Sequence, residues 1–540
     1  MTPTRPHASD ADPAARLARQ LQEGYALIGQ GRAAEAVALG RQLLEAWSGS
    51  AHVLVFAGEG FLASGDPASA LEMIGRAVEA SGGHYALKIK KAGLLQQMRR
   101  RSEAAALAIE AAGQATGNGQ ALWQAGNLLS NCNRPDQAIV LFEQALETMG
   151  RHPPLLYDLA VAQFFTGAFD EAERNLDALL AADPKSGHAL YLRSTLRRQT
   201  VERNHLSDIE AKLAAGFANA ANEASARYAL AKELEDLGQH EQAFKALLAA
   251  AATKRGTLKY DIAAEIASLE SMCAAYTAAA IATSAANAGG DEGEGAIFIV
   301  GMPRTGTTLV ERLLVRSGKV RSAGELLDFG NLLGLATQRR LAEGAPLPAA
   351  HASLGIDFAF LGADYMRGAR DAAGGSALFI DKMPVNFMYC GPIRKALPKA
   401  KIIHLVREPL DSCYAVFKTL FFNSYHFSYD QQELGDYYIA YRRMMRHWHE
   451  VMPDSILDVE YEALVTDTPA QARRILEWCG LEWDETVLDS APIDAPFATA
   501  SAAQVREPVH SRSINSSRRH LDGLAPLEAR LAAEGLLADR

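Results

Sequence analysis

Ala36, Ala70, Ala104, Ala138 and Ala172 stand 34 residues apart. A period of that length confines the fold more than any other feature of the chain. Each unit is one helical hairpin that cannot bury its apolar face alone, so successive units must stack. The frame around each alanine recurs as well: "GRAAEA", "GDPASA", "NRPDQA" and "GAFDEA" each set a turn and a helix start before it. Twelve residues upstream lie Gly24, Gly58, Ala92, Gly126 and Ala160; seven downstream lie Leu43, Ala77, Ala111, Ala145 and Leu179. Small residues at these places let two helices approach closely.

The pattern resembles the tetratricopeptide repeat (TPR), down to Pro184 closing the fifth unit in "AADPKSG". The register then slips: "TLRRQTVERNHLSDIEAKL" reads as a degenerate or expanded sixth unit. The frame resumes at Ala243, 71 residues after Ala172 and three more than two periods. The repeats are expected over 15–257, after a disordered start at 1–14. Such an array is either a structural solenoid or a concave groove for a peptide or partner.

Composition removes several classes. A formal charge of −10 speaks against a general nucleic-acid binder, so any basic site must be local. Five scattered cysteines without a C-x-x-C pair suggest reduced thiols rather than disulfides or zinc. The first residues lack the apolar core of a secretory signal, and "AAYTAAAIATSAANAGG" would make a poor membrane span. These features lead us to expect a soluble, cytoplasmic protein.

A helix is expected from about Tyr260 to Ala288, running into the glycine-acidic linker "AGGDEGEG"; together these make a connector over 258–294. Beyond it the period changes. "AIFIV", "SALFIDK" and "AKIIHLV" are short branched apolar runs, each followed by a turn and a helix-like segment. They read as buried parallel strands of an α/β sheet occupying 295–540. The expected fold class is therefore α + α/β, an all-α solenoid followed by a P-loop-like domain with a central parallel sheet. Ligands of such sheets sit at the carboxyl ends of strands, where Arg304, Lys382 and Arg407 fall.

"FIVGMPRTGTTLVERLL" spaces Gly301 and Gly306 as a Walker loop does, yet holds Thr307 where the lysine belongs. Three readings compete. A kinase or nucleotide triphosphatase could use Asp381 at the end of "LFID" as its Walker B carboxylate, but Thr307 cannot reach the β- and γ-phosphates. A non-functional turn leaves Arg304 and the two threonines unexplained. The third reading is a loop around one 5′-phosphate that carries a less charged group, such as a sulfuryl. It calls for a second anion site for a 3′-phosphate, which Arg407 and Ser412 in "KIIHLVREPLDSCYAVF" supply as a guanidinium and a helix start.

With these segments in view, residues about 295–520 resemble sulfotransferases that use 3′-phosphoadenosine 5′-phosphosulfate (PAPS). "VGMPRTGTTLVERLL" is similar to the family's 5′-phosphosulfate loop and "IIHLVREPLDS" to its 3′-phosphate segment. "AGELLDF", "DKMPVNF", "LDVEYEALVTDTPAQARRILEWCGLEWDE" and "SAAQVREPVH" resemble segments of the tyrosylprotein branch. Joined to the repeats, the chain resembles a bacterial TPR sulfotransferase.

That resemblance implies roles. Pro303, Arg304, Thr305, Gly306, Thr307 and Thr308 would hold the 5′-phosphosulfate, with Arg304 also counted among the catalytic groups. Arg407 and Ser412 would hold the 3′-phosphate, and Tyr461 and Ser501 would line the donor site. Glu325 would be the general base on the acceptor hydroxyl, and Lys382 would stabilise the bridging oxygen. The late basic loop departs from the family's pattern, reading "SRSINSSRRH"; Arg518 is favoured for the 3′-phosphate, with Arg512 and Arg519 as alternatives. No metal is implied, and adenosine 3′,5′-bisphosphate (PAP) would be the product.

Other residues have plainer readings. Glu325 could instead simply favour a helix start, and Lys382 could be a solvated strand end. His404, alternating with apolar neighbours, reads as structural. The aromatic run 416–429 is either core or the wall of an acceptor pocket. Cys413 and Cys479 read as packing residues. The favoured function is sulfuryl transfer to a hydroxyl, with a peptide tyrosine presented by the repeat groove as one candidate beside glycans, lipids and small phenols. The alternatives are a repeat scaffold that binds nucleotide without turnover, or a P-loop kinase.

Overall fold

The computed structural model describes residues 13–282, 292–344, 347–489 and 509–537. By its contacts the chain divides into two compact units, Met1–Gly150 and Arg151–Arg540.

The first unit holds the helix pairs Pro13–Gly29 with Ala33–Ala46, Ala51–Ala63 with Pro67–Ala80, Tyr85–Gln97 with Arg101–Gln114, and Gly119–Asn131 with Pro135–Met149. Every small residue of the 34-residue frame is buried here, and the reason is steric. A Cβ on Gly126 would lie 2.5 Å from the Phe142 ring, a separation that only glycine permits.

The second unit continues the repeats with Pro153–Thr166 and Phe169–Ala182, then Gly187–Thr195. The slipped register now has a structure. Residues 196–205 leave the helical path, the short helix Leu206–Ala214 follows, and Gly187–Thr195 packs instead on Ala220–Asp236. A Cβ on Gly187 would sit 2.1 Å from the Asn222 carbonyl oxygen, so the two backbones meet directly. His240–Arg255 completes the last pair.

The expected helix from Tyr260 onward is broken in two, Ile262–Ala275 and Ala278–Ala282. Tyr276 causes the break: it is fully buried, hydrogen-bonds Ser353 at 2.8 Å and packs edge-on against Trp448. Residues 283–291, which hold the end of the expected helix and half of the glycine-acidic linker, lie outside the described residues.

Five parallel strands follow: β1 (Ala296–Gly301), β2 (Arg321–Gly324), β3 (Phe379–Asp381), β4 (Lys401–Val406) and β5 (Ile456–Glu460), in the order β2-β3-β1-β4-β5. Ala296, Phe298 and Val300 face one core and Ile297 and Ile299 the other, which is why the run reads as continuously apolar. Tyr228, Phe244 and Leu247 of the last repeats share the first of these cores, so within this unit repeat and sheet fold as one body.

Candidate active site

Parallel register brings the chemistry together. Gly324 at the end of β2 pairs with Asp381 at the end of β3, so Glu325 and Lys382 emerge as neighbours. The Lys382 N–H donates to the Gly324 carbonyl at 3.0 Å, and the Lys382 ammonium donates to the Glu325 carboxylate. Lys382 is 2% exposed, whereas the Glu325 side chain is 34% exposed, so the carboxylate is the partner an incoming group can reach. Burial would pull the Lys382 ammonium down, but Glu325 and Glu311, the latter 3.9 Å away, outweigh it and hold its pKa above the ordinary value. Glu311 is itself pushed up by burial against the pull of Lys382.

On the other side of β1, Gly301 pairs with Leu405 of β4, and Val406 pairs with Glu460 of β5. The loop after β1 therefore runs beside Arg407, and Arg407 stands beside Tyr461. One Arg407 guanidinium nitrogen donates to the Arg304 carbonyl at 3.2 Å and another to the Ser513 carbonyl at 2.6 Å. The guanidinium lies over the Tyr461 ring, 4.8 Å from its centre. Tyr461 also backs the loop, since a Cβ on Gly306 would come within 2.6 Å of its ring.

The loop is wound tightly. Arg304 adopts φ 66° and Gly306 φ 100°, and the Thr305 hydroxyl donates to the Met302 carbonyl at 2.7 Å. The helix Thr307–Arg316 starts at Gly306 without a side-chain cap, so no side chain of the capping residue takes up its first N–H groups. Burial, with Arg407 nearby, pulls the Arg304 guanidinium down from its usual range.

A cavity of about 370 Å³ opens over this loop. Its walls include Arg304, Gly306, Thr307, Thr308, Arg407 and Tyr461. Among the described residues nine arginine and lysine side chains line it against two carboxylates, in a chain whose net charge is −10. That local imbalance suits a ligand with several negative charges. The Arg407 Nε and the Ser412 Oγ are buried without a hydrogen-bond partner among the described residues, and Ser412 is 1% exposed. Buried polar atoms of this kind call for a partner.

The remaining sequence expectations fall as follows. Pro303 and Thr305 are buried and shape the loop without lining the cavity, and Ser412 is not among the lining residues either. Ser501 lies outside the described residues. Of the three arginines in the late loop, Arg512 and Arg519 line the cavity, and the favoured Arg518 does not. Asp411, which the sequence reading did not single out, sets this arrangement. Its carboxylate accepts from the Asn515 N–H and, at 2.8 Å, from the Ser517 N–H, pinning the turn Ser516–His520.

Asp381 does not take the Walker B position. It is wholly buried and accepts from the Tyr365 hydroxyl at 2.7 Å, the Asn386 amide at 3.2 Å and the Leu326 N–H at 3.3 Å. Burial pushes its carboxyl up to about 7. Through Leu326 it braces the turn that carries Glu325. His404 is buried between Asp458 at 2.8 Å and Tyr441, in keeping with a structural residue. In the aromatic run, Phe417, Phe427 and Tyr429 are core, whereas Tyr425 lies near enough to Glu325 for the carboxylate to add to the upward push of burial on its phenol. Cys413 is buried in the first core, and Cys479 packs at the edge of the second.

A five-stranded parallel sheet with a tight, lysine-free glycine loop after β1 and an arginine beside it narrows the class, and the comparisons bear on it. Residues 296–485 match the model described as "Sulfotransferase family", and residues 133–196 match "Tetratricopeptide repeat". The chain thus carries tetratricopeptide repeats followed by a sulfotransferase-family domain. Among curated proteins it is 26% identical over 407 residues to an uncharacterized protein of Aquifex aeolicus, covering 74% of this chain and 53% of that one. It is 25% identical over 205 residues to protein-tyrosine sulfotransferase A of Caenorhabditis elegans, covering 36% of this chain and 51% of that one. The chain therefore spans about half the length of these relatives. Solved structures of MamA (20% identity, 32% of this chain, 93% of that chain, TM-score 0.27) and of YrrB, described as a TPR protein (20% identity, 32% and 89%, TM-score 0.28), also match. No described helix is long and apolar enough to cross a membrane.

Proposed function

We propose that this protein transfers a sulfuryl group from PAPS to a hydroxyl acceptor. One observation carries the reading: a strongly cationic cavity with an uncapped helix start in its wall, and, outside its lining but near enough for Glu325 to act on the Arg304 charge, a lysine–glutamate pair at the carboxyl edge of the same sheet. The residues present fit the donor. The uncapped N–H groups, Thr307, Thr308 and Arg304 would hold its 5′ end. Arg407 Nε and Ser412 Oγ, both buried and unpartnered, would meet a 3′-phosphate with Arg512 or Arg519.

Bound there, the donor supplies an electrophilic sulfur and a phosphate leaving group. Glu325, the exposed member of the pair, takes the proton of the acceptor hydroxyl as its oxygen bonds to sulfur. Lys382, held as an ammonium by Glu325 and Glu311, faces the negative charge that builds on the bridging oxygen as its bond to sulfur breaks. Arg304 adds a second cation at the turn. The name of the Caenorhabditis relative supports a tyrosine hydroxyl as acceptor, presented by the repeats over 15–257.

The test is direct: incubate the full chain with ³⁵S-labelled PAPS and a panel of phenols and tyrosine peptides. The reading predicts labelled sulfate esters and stoichiometric PAP without added metal. Label retained in PAPS, with every acceptor class tried, would contradict it.

A further inference from the structure

The cavity is not built by the sulfotransferase domain alone. Thr195, Arg197, Arg198, Lys232, Glu235 and Asp236, all from the repeats, form part of its wall. The segment that carries the first three is the one that breaks the 34-residue period.

That segment is held far more firmly than a connecting loop requires. The Gln199 N–H donates to Asp236 at 2.8 Å and its side-chain amide to the Ser194 carbonyl at 3.2 Å. The Lys232 ammonium donates to the carbonyls of Ser194 and Arg197 and pairs with Asp236 at 2.7 Å. Arg197 is tied back to Glu173 at 2.7 Å and Asp170 at 2.9 Å. The two carboxylates of the cavity are likewise occupied. Asp236 serves Gln199 and Lys232, while Glu235 takes Lys418 at 2.9 Å and the Tyr414 hydroxyl at 3.1 Å. Neither is left to oppose an anion.

Arg198 differs from its neighbours. It is exposed on the cavity wall and makes no hydrogen bond or ion pair among the described residues, although the backbone on both sides of it is fixed. We propose that the displaced sixth repeat is part of the nucleotide site, with Arg198 contacting an anionic oxygen of the bound nucleotide. This rests on the donor-site reading above. The insertion that disrupts the repeat period is then the device that sets this cation over the cavity, and nucleotide binding is coupled to the repeats.

The probe is PAP, titrated into the full chain as wild type, Arg198→Ala, Arg198→Glu, Arg198→Lys and Arg407→Ala, with hydrogen exchange of residues 196–205 as a second readout. Loss of a partly exposed charge-assisted contact predicts roughly three- to tenfold weaker binding for Arg198→Ala. Charge reversal should weaken it further, Arg198→Lys should retain part of the affinity, and PAP should slow exchange in 196–205 of the wild type. If Arg407→Ala weakens binding while Arg198→Ala and Arg198→Glu bind as wild type, the inference is overturned and the donor site stands. A wild-type chain that ignores PAP overturns both.

Discussion

Lys382 donates to Glu325 across the carboxyl edge of the sheet, because the paired ends of β3 and β2 leave these two residues side by side. Of the two, Glu325 is the exposed member, and in the proposed reaction it is the base and Lys382 the charge. Glu325→Gln should bind PAP normally and transfer sulfate ~10²–10⁴ more slowly. A more acidic phenol needs less help from a base and should partly rescue it. Steady-state rates across a phenol series check this; a flat response to phenol acidity would move the base elsewhere.

Lys382→Met should lose rate as well, without rescue by acidic phenols, since its defect lies on the leaving-group side. It should also lose stability, because Glu311 stays buried without its cation. Stranding one member of a buried pair costs on the order of 3 kcal/mol. Chemical denaturation should show the loss, and Glu311→Gln in the same chain should recover part of it.

Arg407→Ala should weaken PAP while sparing an analogue that lacks the 3′-phosphate. A charge-assisted bond contributes about 1.5–3 kcal/mol, or one to two decades in affinity. Calorimetric titration of both ligands decides it; equal losses would make Arg407 a brace for the Arg304 and Ser513 carbonyls alone.

Gly306→Ala places a methyl against the Tyr461 ring at a left-handed φ. The loop and Tyr461 must separate, so PAP affinity should fall at least tenfold, while the fold loses only about 1–3 kcal/mol from backbone strain. Thermal melts with and without PAP would show a ligand-induced shift that shrinks more than the apo melting temperature.

Asp381 gives a pH signature. Its carboxyl sits at about 7 in the fold and near 4 when unfolded, so the folded state holds the extra proton in between. Stability from this group is therefore present at low pH and lost as pH rises from ~4 through ~7. Asp381→Asn removes the titration. Urea unfolding from pH 4 to 8 should show wild-type stability falling relative to the variant by up to a few kcal/mol. A constant difference across that range would refute the assignment.

The legible parts of the chain were those where local pattern and burial coincide. The 34-residue frame works because Ala36, Ala70, Ala104, Ala138 and Ala172 are all fully buried at close helix contacts. β1, β3 and β4 are covered on both faces, so apolar runs announce them. β2 escaped because "RSAG" is a four-residue edge strand, partly exposed, and only its register beside β3 makes it a strand. The choice among Arg512, Arg518 and Arg519 was hidden for a related reason. Asp411, about a hundred residues earlier, orients that turn through backbone N–H groups, and such a contact leaves no local trace. Arg198 was hidden because its segment read only as a failed repeat.

The proposed reading makes the cavity a metal-independent site for a 3′-phosphorylated adenine nucleotide. Titrating PAP and, separately, ATP with magnesium into the full chain, each with and without chelator, tests it most directly. The account predicts that PAP binds, that chelator leaves its affinity unchanged, and that ATP binds more weakly. Tight magnesium-dependent ATP binding with no response to PAP would contradict it.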